Sequence, residues 1–199
     1  TPAKIYASSP TLLYMLYALD PAKISGVNFE WNDYEKPYIK KEILDQPVVG
    51  GFFGQGKIPN SEMLLRLNPD LILINASSKN VKKMGEIFGS IKKPMLYLSG
   101  TKLEDYIDGF AILGEVTGKK ERAKELINYA NESLNLTQKI EKYLKENGIK
   151  KKSVYYAQGS DGLATECAGS WHASLIDRAG LENVHKCADD PNANAFGRV

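Results

Sequence analysis

The sequence predicts an α/β fold with a largely parallel sheet, and three observations carry that prediction. Short apolar runs alternate with helical patterns along the chain, clusters of turn residues separate them, and one helical pattern runs far beyond the others, over residues 119–147. The composition agrees: 43% hydrophobic and 25% charged residues, with Gly 17 and Pro 9, excludes a disordered or collagen-like chain.

Each element has a local cause. Lys4 to Ala7 reads as a short buried strand. Ser8-Ser9-Pro10-Thr11 then opens a helix that is apolar on nearly every side from Leu12 to Leu19, and Asp20-Pro21 stops it. Gly26-Val27-Asn28 suggests a second short strand, followed by the aromatic and polar loop Phe29 to Asn32 and a weak helical stretch over about 36–44. Asn60 is a good N-cap with Met63, Leu64 and Leu67 on one face behind it, and Asn68-Pro69-Asp70 turns the chain into a strand from Leu71 to Asn75. A helix over about 79–88, a strand from Met95 to Leu98 and a helix capped by Thr101 follow. Gly118 breaks that helix, and Ala123, Leu126, Ile127, Ala130, Leu134, Ile140 and Leu144 keep a helical period until Gly148. A helix of this length is either a spine between two lobes or an outer amphipathic helix. Beyond it come a strand from Ser153 to Ala157, a polar loop to Gly169, a helix capped by Ser170 and ending at Gly180, and one further short strand over Asn183-Val184-His185.

Charge and motifs remove several function classes. Lys and Arg number 26 against 24 Asp and Glu, a net of +2, and the lysine doublets are scattered, so nothing points to a nucleic-acid partner. The longest apolar run, Leu12 to Leu19, is less than half the ~18 residues of a membrane span. Gly56-Lys57 is followed by Ile58 where a phosphate loop needs Ser or Thr, and the sequence holds no nucleophile elbow, metalloprotease helix motif or dinucleotide fingerprint. The protein is therefore expected not to be an enzyme. Glu104-Asp105 and Asp189-Asp190 are the only acidic doublets, too few for an all-protein site for a hard cation. Cys167 and Cys187 flank or adjoin the chain's two histidines, His172 and His185; the cysteines read either as a disulfide of an oxidising compartment or as two buried thiols.

Five passages resemble the substrate-binding proteins of metal-chelate ABC importers, the group that captures ferric siderophores, haem and cobalamin. They are Ile5 to Thr11 with its helix, the Val49-Gly50-Gly51-Phe52 turn, the run Leu64 to Leu73 through Asn68-Pro69-Asp70, the step Leu113 to Gly118 into the long helix, and Ala179 to Val184. The resemblance implies two α/β lobes with parallel sheets, residues 1–118 and 148–199, joined by one long inter-lobe helix over 119–147, with ligand held between the lobes. It also implies a periplasmic, or extracellular and membrane-anchored, protein that delivers its cargo to an ABC permease in the inner membrane, with acidic surface residues, Glu62 among them, as docking candidates. The family continues with further strand and helix units where this chain reaches Val199, so the second lobe is expected to be incomplete, and an exposed sheet edge there would favour a dimer. No cofactor is expected; the metal, Fe or Ni, belongs to the cargo. A ferric siderophore is the first expectation and a nickel or corrinoid complex the alternative, because Asp161 to Cys167 with Trp171 and His172 is richer in Cys and His than a siderophore binder requires.

Ligands of open α/β sheets collect at the carboxyl ends of strands, which selects the candidate residues. Ser8 and Ser9 either cap the first helix or, with its N-terminus, hold an anionic group such as a chelate carboxylate. Trp31, Phe52 and Phe53 form an aromatic wall or pack in the core, and Ser77 follows the strand Leu71 to Asn75. In the second lobe Glu166 and Trp171 are candidate ligand contacts. His172 is the first choice for a metal ligand and His185 the second, since an imidazole completes an open coordination position at neutral pH. Arg198 is a candidate partner for an anionic chelate.

Overall fold

The computed structural model describes residues 1–53, 58–76, 81–100, 102–167, 170 and 172–186. The chain divides into two compact units, Thr1–Ile127 and Asn128–Val199, with the division inside its longest helix.

In the first unit, strand β1 (Ile5–Ala7), helix α1 (Pro10–Leu19), the single-turn helix α2 (Lys41–Leu44), α3 (Ser61–Leu67), β2 (Leu71–Asn75), α4 (Val81–Gly89), β3 (Met95–Leu98) and α5 (Leu103–Thr117) follow one another. The three strands form one parallel sheet in the order β1-β2-β3, with Tyr6 opposite Ile72 and Leu73 opposite Leu96. Side chains alternate across it as strand geometry requires. Ile5, Ala7, Leu71 and Leu73 point into a core with Leu12, Leu16 and Leu113 from α1 and α5; Tyr6, Ile72 and Ile74 point into a second core with Leu64, Met84 and Phe88 from α3 and α4. Helices therefore cover both faces, as a parallel sheet demands.

Local signals explain most boundaries. Asn60 caps α3 by accepting the Met63 N–H at 3.0 Å, and Asn68 ends that helix in the left-handed conformation at φ 50. Thr101 lies outside the described residues; the cap position next to it is Lys102, whose N–H is taken by the Asp105 carboxylate at 3.1 Å. Gly118, at φ 74, stops α5 and lets the chain turn at once into α6 (Lys120–Glu146).

Two expectations change. Val27 makes a single bridge to Val48 rather than a strand, because Asn28 turns its side chain inward to the backbone of Ala7 and Gly50. The stretch 36–44 is a 3-10 turn at Lys36–Tyr38 followed by α2, since Pro37 allows only a helix start there.

In the second unit α6 continues to Glu146, and β4 (Ser153–Val154) pairs in parallel with β5 (Glu182–Asn183). Helix α7 (Ser174–Arg178) lies between them in sequence. The strand expected over 153–157 is only two residues long, because the chain next folds back on itself: Gln158 bridges Ala164, and the Tyr155 hydroxyl reaches the carbonyls of Gly162 and Leu163 at 3.1 and 3.2 Å. No helix of the described residues is long and apolar enough to cross a membrane.

Candidate functional site

The first group of candidate residues gathers where β1 ends. Ser8 is fixed by its backbone: its N–H donates to Leu73 at 2.9 Å, and its carbonyl accepts from Phe52 at 2.8 Å. Ser9 is the extended residue before α1, yet its side chain makes no capping bond, and Pro10 brings no N–H of its own. Both serines are buried, and neither Oγ has a hydrogen-bond partner; the same holds for Asn28 Oδ1 and Trp31 Nε1. Buried polar atoms are ordinarily paired, so four orphaned ones in one region are unusual. Two hydroxyls beside the first turn of a ten-residue helix suit an oxyanion, because that turn carries unbonded amides and a partial positive charge.

The aromatic residues divide between two environments. Trp31 packs edge-on against Phe29 at 5.0 Å and Tyr14 at 6.2 Å, and Phe53 meets Phe29 at 5.9 Å. Phe52 instead meets Phe88 of α4 at 5.9 Å and so belongs to the second core. A cavity of about 230 Å³ is lined by Trp31, Phe29, Val27, Val48, Glu30 and Lys36 among others. A larger one, about 380 Å³ between α5 and α6, contains no residue of either candidate group.

The second group, in the second unit, is built around a carboxylate. Glu166 has no solvent exposure, and among the described residues it accepts hydrogen bonds of 2.8 Å from Gln158 Nε2 and His172 Nδ1 at Oε1 and from Ser170 Oγ at Oε2. Its own carbonyl accepts from Asn183 Nδ2 at 2.9 Å, which ties it to β5. Burial raises the Glu166 pKa, but the bonds from Ser170, His172 and Gln158 outweigh that and hold it below the ordinary glutamate value. The His172 side chain is 34% exposed, and the Tyr156 ring stacks on it at 6.2 Å and 23°. His185 donates its N–H to Asn183 Oδ1 at 3.2 Å, and its Nε2 is buried without a partner. Cys167 is buried and disulfide-bonded, while Cys187 lies outside the described residues. Among the described residues no three His, Cys, Asp or Glu side chains converge as a metal-binding set.

The family model described as "Periplasmic binding protein" matches residues 6–195. The chain belongs to that family. An ABC transporter solute-binding protein from Sulfurospirillum deleyianum is 30% identical, with a TM-score of 0.85 over 95% of this chain and 59% of its own. IsdE from S. aureus, solved with heme, gives 0.69 at 21% identity over 94% of this chain and 64% of its own. The molybdate-binding protein MolA of Haemophilus influenzae gives 0.76 at 18% identity over 99% and 63%. The chain thus spans about three-fifths of the length of these solved relatives. No curated protein matches it in sequence.

In this periplasmic binding protein the sequence-selected residues fall into the two groups described. Ser8, Ser9, Trp31, Phe52 and Phe53 lie in the first unit, and Glu166, His172 and His185 in the second. Ser77, Trp171 and Arg198 lie outside the described residues. Sequence reasoning missed Asn28, Gln158 and Tyr156, which no motif singles out, and read Ser170 only as a helix cap. Ser170 does accept the Ala173 N–H at 3.1 Å, while its hydroxyl proton goes to Glu166.

Proposed function

We propose that the protein is the extracytoplasmic solute-binding component of an ABC importer, that it captures a metal chelate, with a ferric siderophore as first choice, and that it hands this cargo to a permease. The observation that carries the reading is His172: a part-exposed imidazole braced by a buried carboxylate and a stacked tyrosine is the arrangement by which proteins present one nitrogen to a metal. A single imidazole does not hold a bare ion against water, but it completes the coordination of a metal already held by a chelator. Family membership supports a binding role rather than catalysis. The same imidazole favours complexes with an open coordination position, so a nickel or corrinoid complex is the second reading.

A fluorescence titration tests this. With two tryptophans in the chain, intrinsic emission is followed on adding a ferric catecholate, a ferric hydroxamate, nickel with and without free histidine, haem and cobalamin to the protein at its full natural length. Saturable quenching by one of them, weakened tenfold or more in His172→Ala, supports the reading; a signal unchanged by that substitution removes His172 from the site.

A further inference from the structure

We infer that the carboxyl end of β1 and the start of α1 form a site for an oxyanion, a carboxylate or a tetrahedral anion, held by the Ser8 and Ser9 hydroxyls and the Thr11 and Leu12 amides. The site lies wholly within the first unit and does not depend on the reading of His172. Topology selects the place. The helix that follows β1, α1, packs with Ile5 and Ala7 on one face of the sheet, whereas the helix that follows the neighbouring β2, α4, packs with Tyr6 and Ile72 on the other. Adjacent parallel strands whose helices leave to opposite faces open a crevice at their carboxyl ends, and open α/β sheets take ligands there. The end of β3 comes to the same point: a Cβ on Gly100 would stand 4.0 Å from Thr11 Cγ2 and 3.8 Å from Asn75 Nδ2.

The balance of donors and acceptors selects the ligand. The carbonyls of Ala7, Ser8 and Ser9 are all taken, by Asn28 Nδ2, the Phe52 N–H and the Leu13 N–H. Donors are left over. Ser8 and Ser9 join β1 to α1, they are 0% and 4% exposed, and neither Oγ has a hydrogen-bond partner. The first backbone bond of α1 comes from the Leu13 amide, so the Thr11 and Leu12 amides have no acceptor within the helix, and the Ser9 side chain does not supply one. No acidic residue stands in the first turn to offset the positive end of this ten-residue helix. Donors whose neighbouring backbone acceptors are already taken match a ligand that only accepts, and an anion with several oxygens is such a ligand. Pro10 and Thr11 are part-exposed, so the start of the helix reaches solvent.

Amide NMR of the 15N-labelled full chain tests this, with sodium acetate, phosphate and sulfate each titrated against sodium chloride at matched ionic strength. The Thr11 and Leu12 amide protons are expected to move downfield, saturably, with at least one oxyanion and not with chloride. Which of the three acts tells a carboxylate site from a tetrahedral one. Ser9→Ala is expected to weaken that binding ~10-fold, the loss of one hydroxyl donor to a charged group. Thr11 and Leu12 amides that none of the three oxyanions moves, or that chloride moves equally, overturn the inference in the wild type, so misfolding of a variant does not shield it. Affinity unchanged in both Ser8→Ala and Ser9→Ala also overturns it.

Discussion

Gly51 approaches Asn28 so closely that a Cβ at position 51 would stand 2.7 Å from Asn28 Nδ2. That nitrogen donates at 2.9 Å to both Ala7 and Gly50, joining the end of β1 to the turn that carries Phe52 and Phe53. Gly51→Ala is therefore expected to displace Asn28 and to cost about 1–3 kcal/mol in urea unfolding. Asn28→Ala is expected to cost a similar amount, because the buried Ala7 carbonyl loses its side-chain donor, whereas Gly50 keeps the Tyr6 hydroxyl at 2.7 Å.

Two glycines of α5 separate packing from helix propensity. A Cβ on Gly114 would lie 2.5 Å from the Ala123 Cβ of α6, a methyl fixed to its own backbone. A Cβ on Gly109 would lie 2.6 Å from Met15 Cε, the free end of a flexible side chain. Replacing a mid-helix glycine by alanine gains about 1 kcal/mol of propensity. Gly109→Ala is thus expected to be nearly neutral in a denaturant titration, and Gly114→Ala to lose about 1–3 kcal/mol from overpacking.

Acid is expected to loosen the start of β1. The Asp70 carboxylate accepts the N–H groups of Lys4 and Ala3 at 2.9 and 2.8 Å, and these bonds hold its pKa below the usual aspartate value. A depressed carboxylate contributes stability above its unfolded pKa and loses it as pH falls through the folded one. Hydrogen exchange at Ala3 and Lys4 should accordingly rise below about pH 4, relative to neighbouring amides, and Asp70→Asn should show the raised exchange already at neutral pH.

Reduction is expected to weaken the second unit. Cys167 is buried, disulfide-bonded and adjacent to Glu166 in sequence. Cys167→Ser is expected to cost about 2–4 kcal/mol in urea unfolding.

Much of the fold was legible from sequence because its causes are local. Asn60 capping, Gly118 at a left-handed φ and the long period of α6 all act over a few residues, and each appears where expected. The failures have non-local causes. Val27 is kept from forming a strand by the contacts of Asn28 with Ala7 and Gly50, and the strand after Ser153 is cut short by Tyr155 bonding Gly162 and Leu163. The candidate site was legible by residue type but not by arrangement. His172 and Glu166 stand out as residues, yet the bracing of one by the other depends on Gln158, Ser170 and Tyr156, which only the folded loop brings together.

The proposed cargo is a metal chelate recognised through its metal. Isothermal titration of the full-length protein with one chelator, metal-loaded and metal-free, tests it most directly. Binding of the loaded form is expected to be 1:1 and saturable, at least ~10-fold tighter than that of the free chelator, with the difference abolished in His172→Ala. Equal affinity for loaded and free chelator, or a preference for the loaded form that survives His172→Ala, would contradict it.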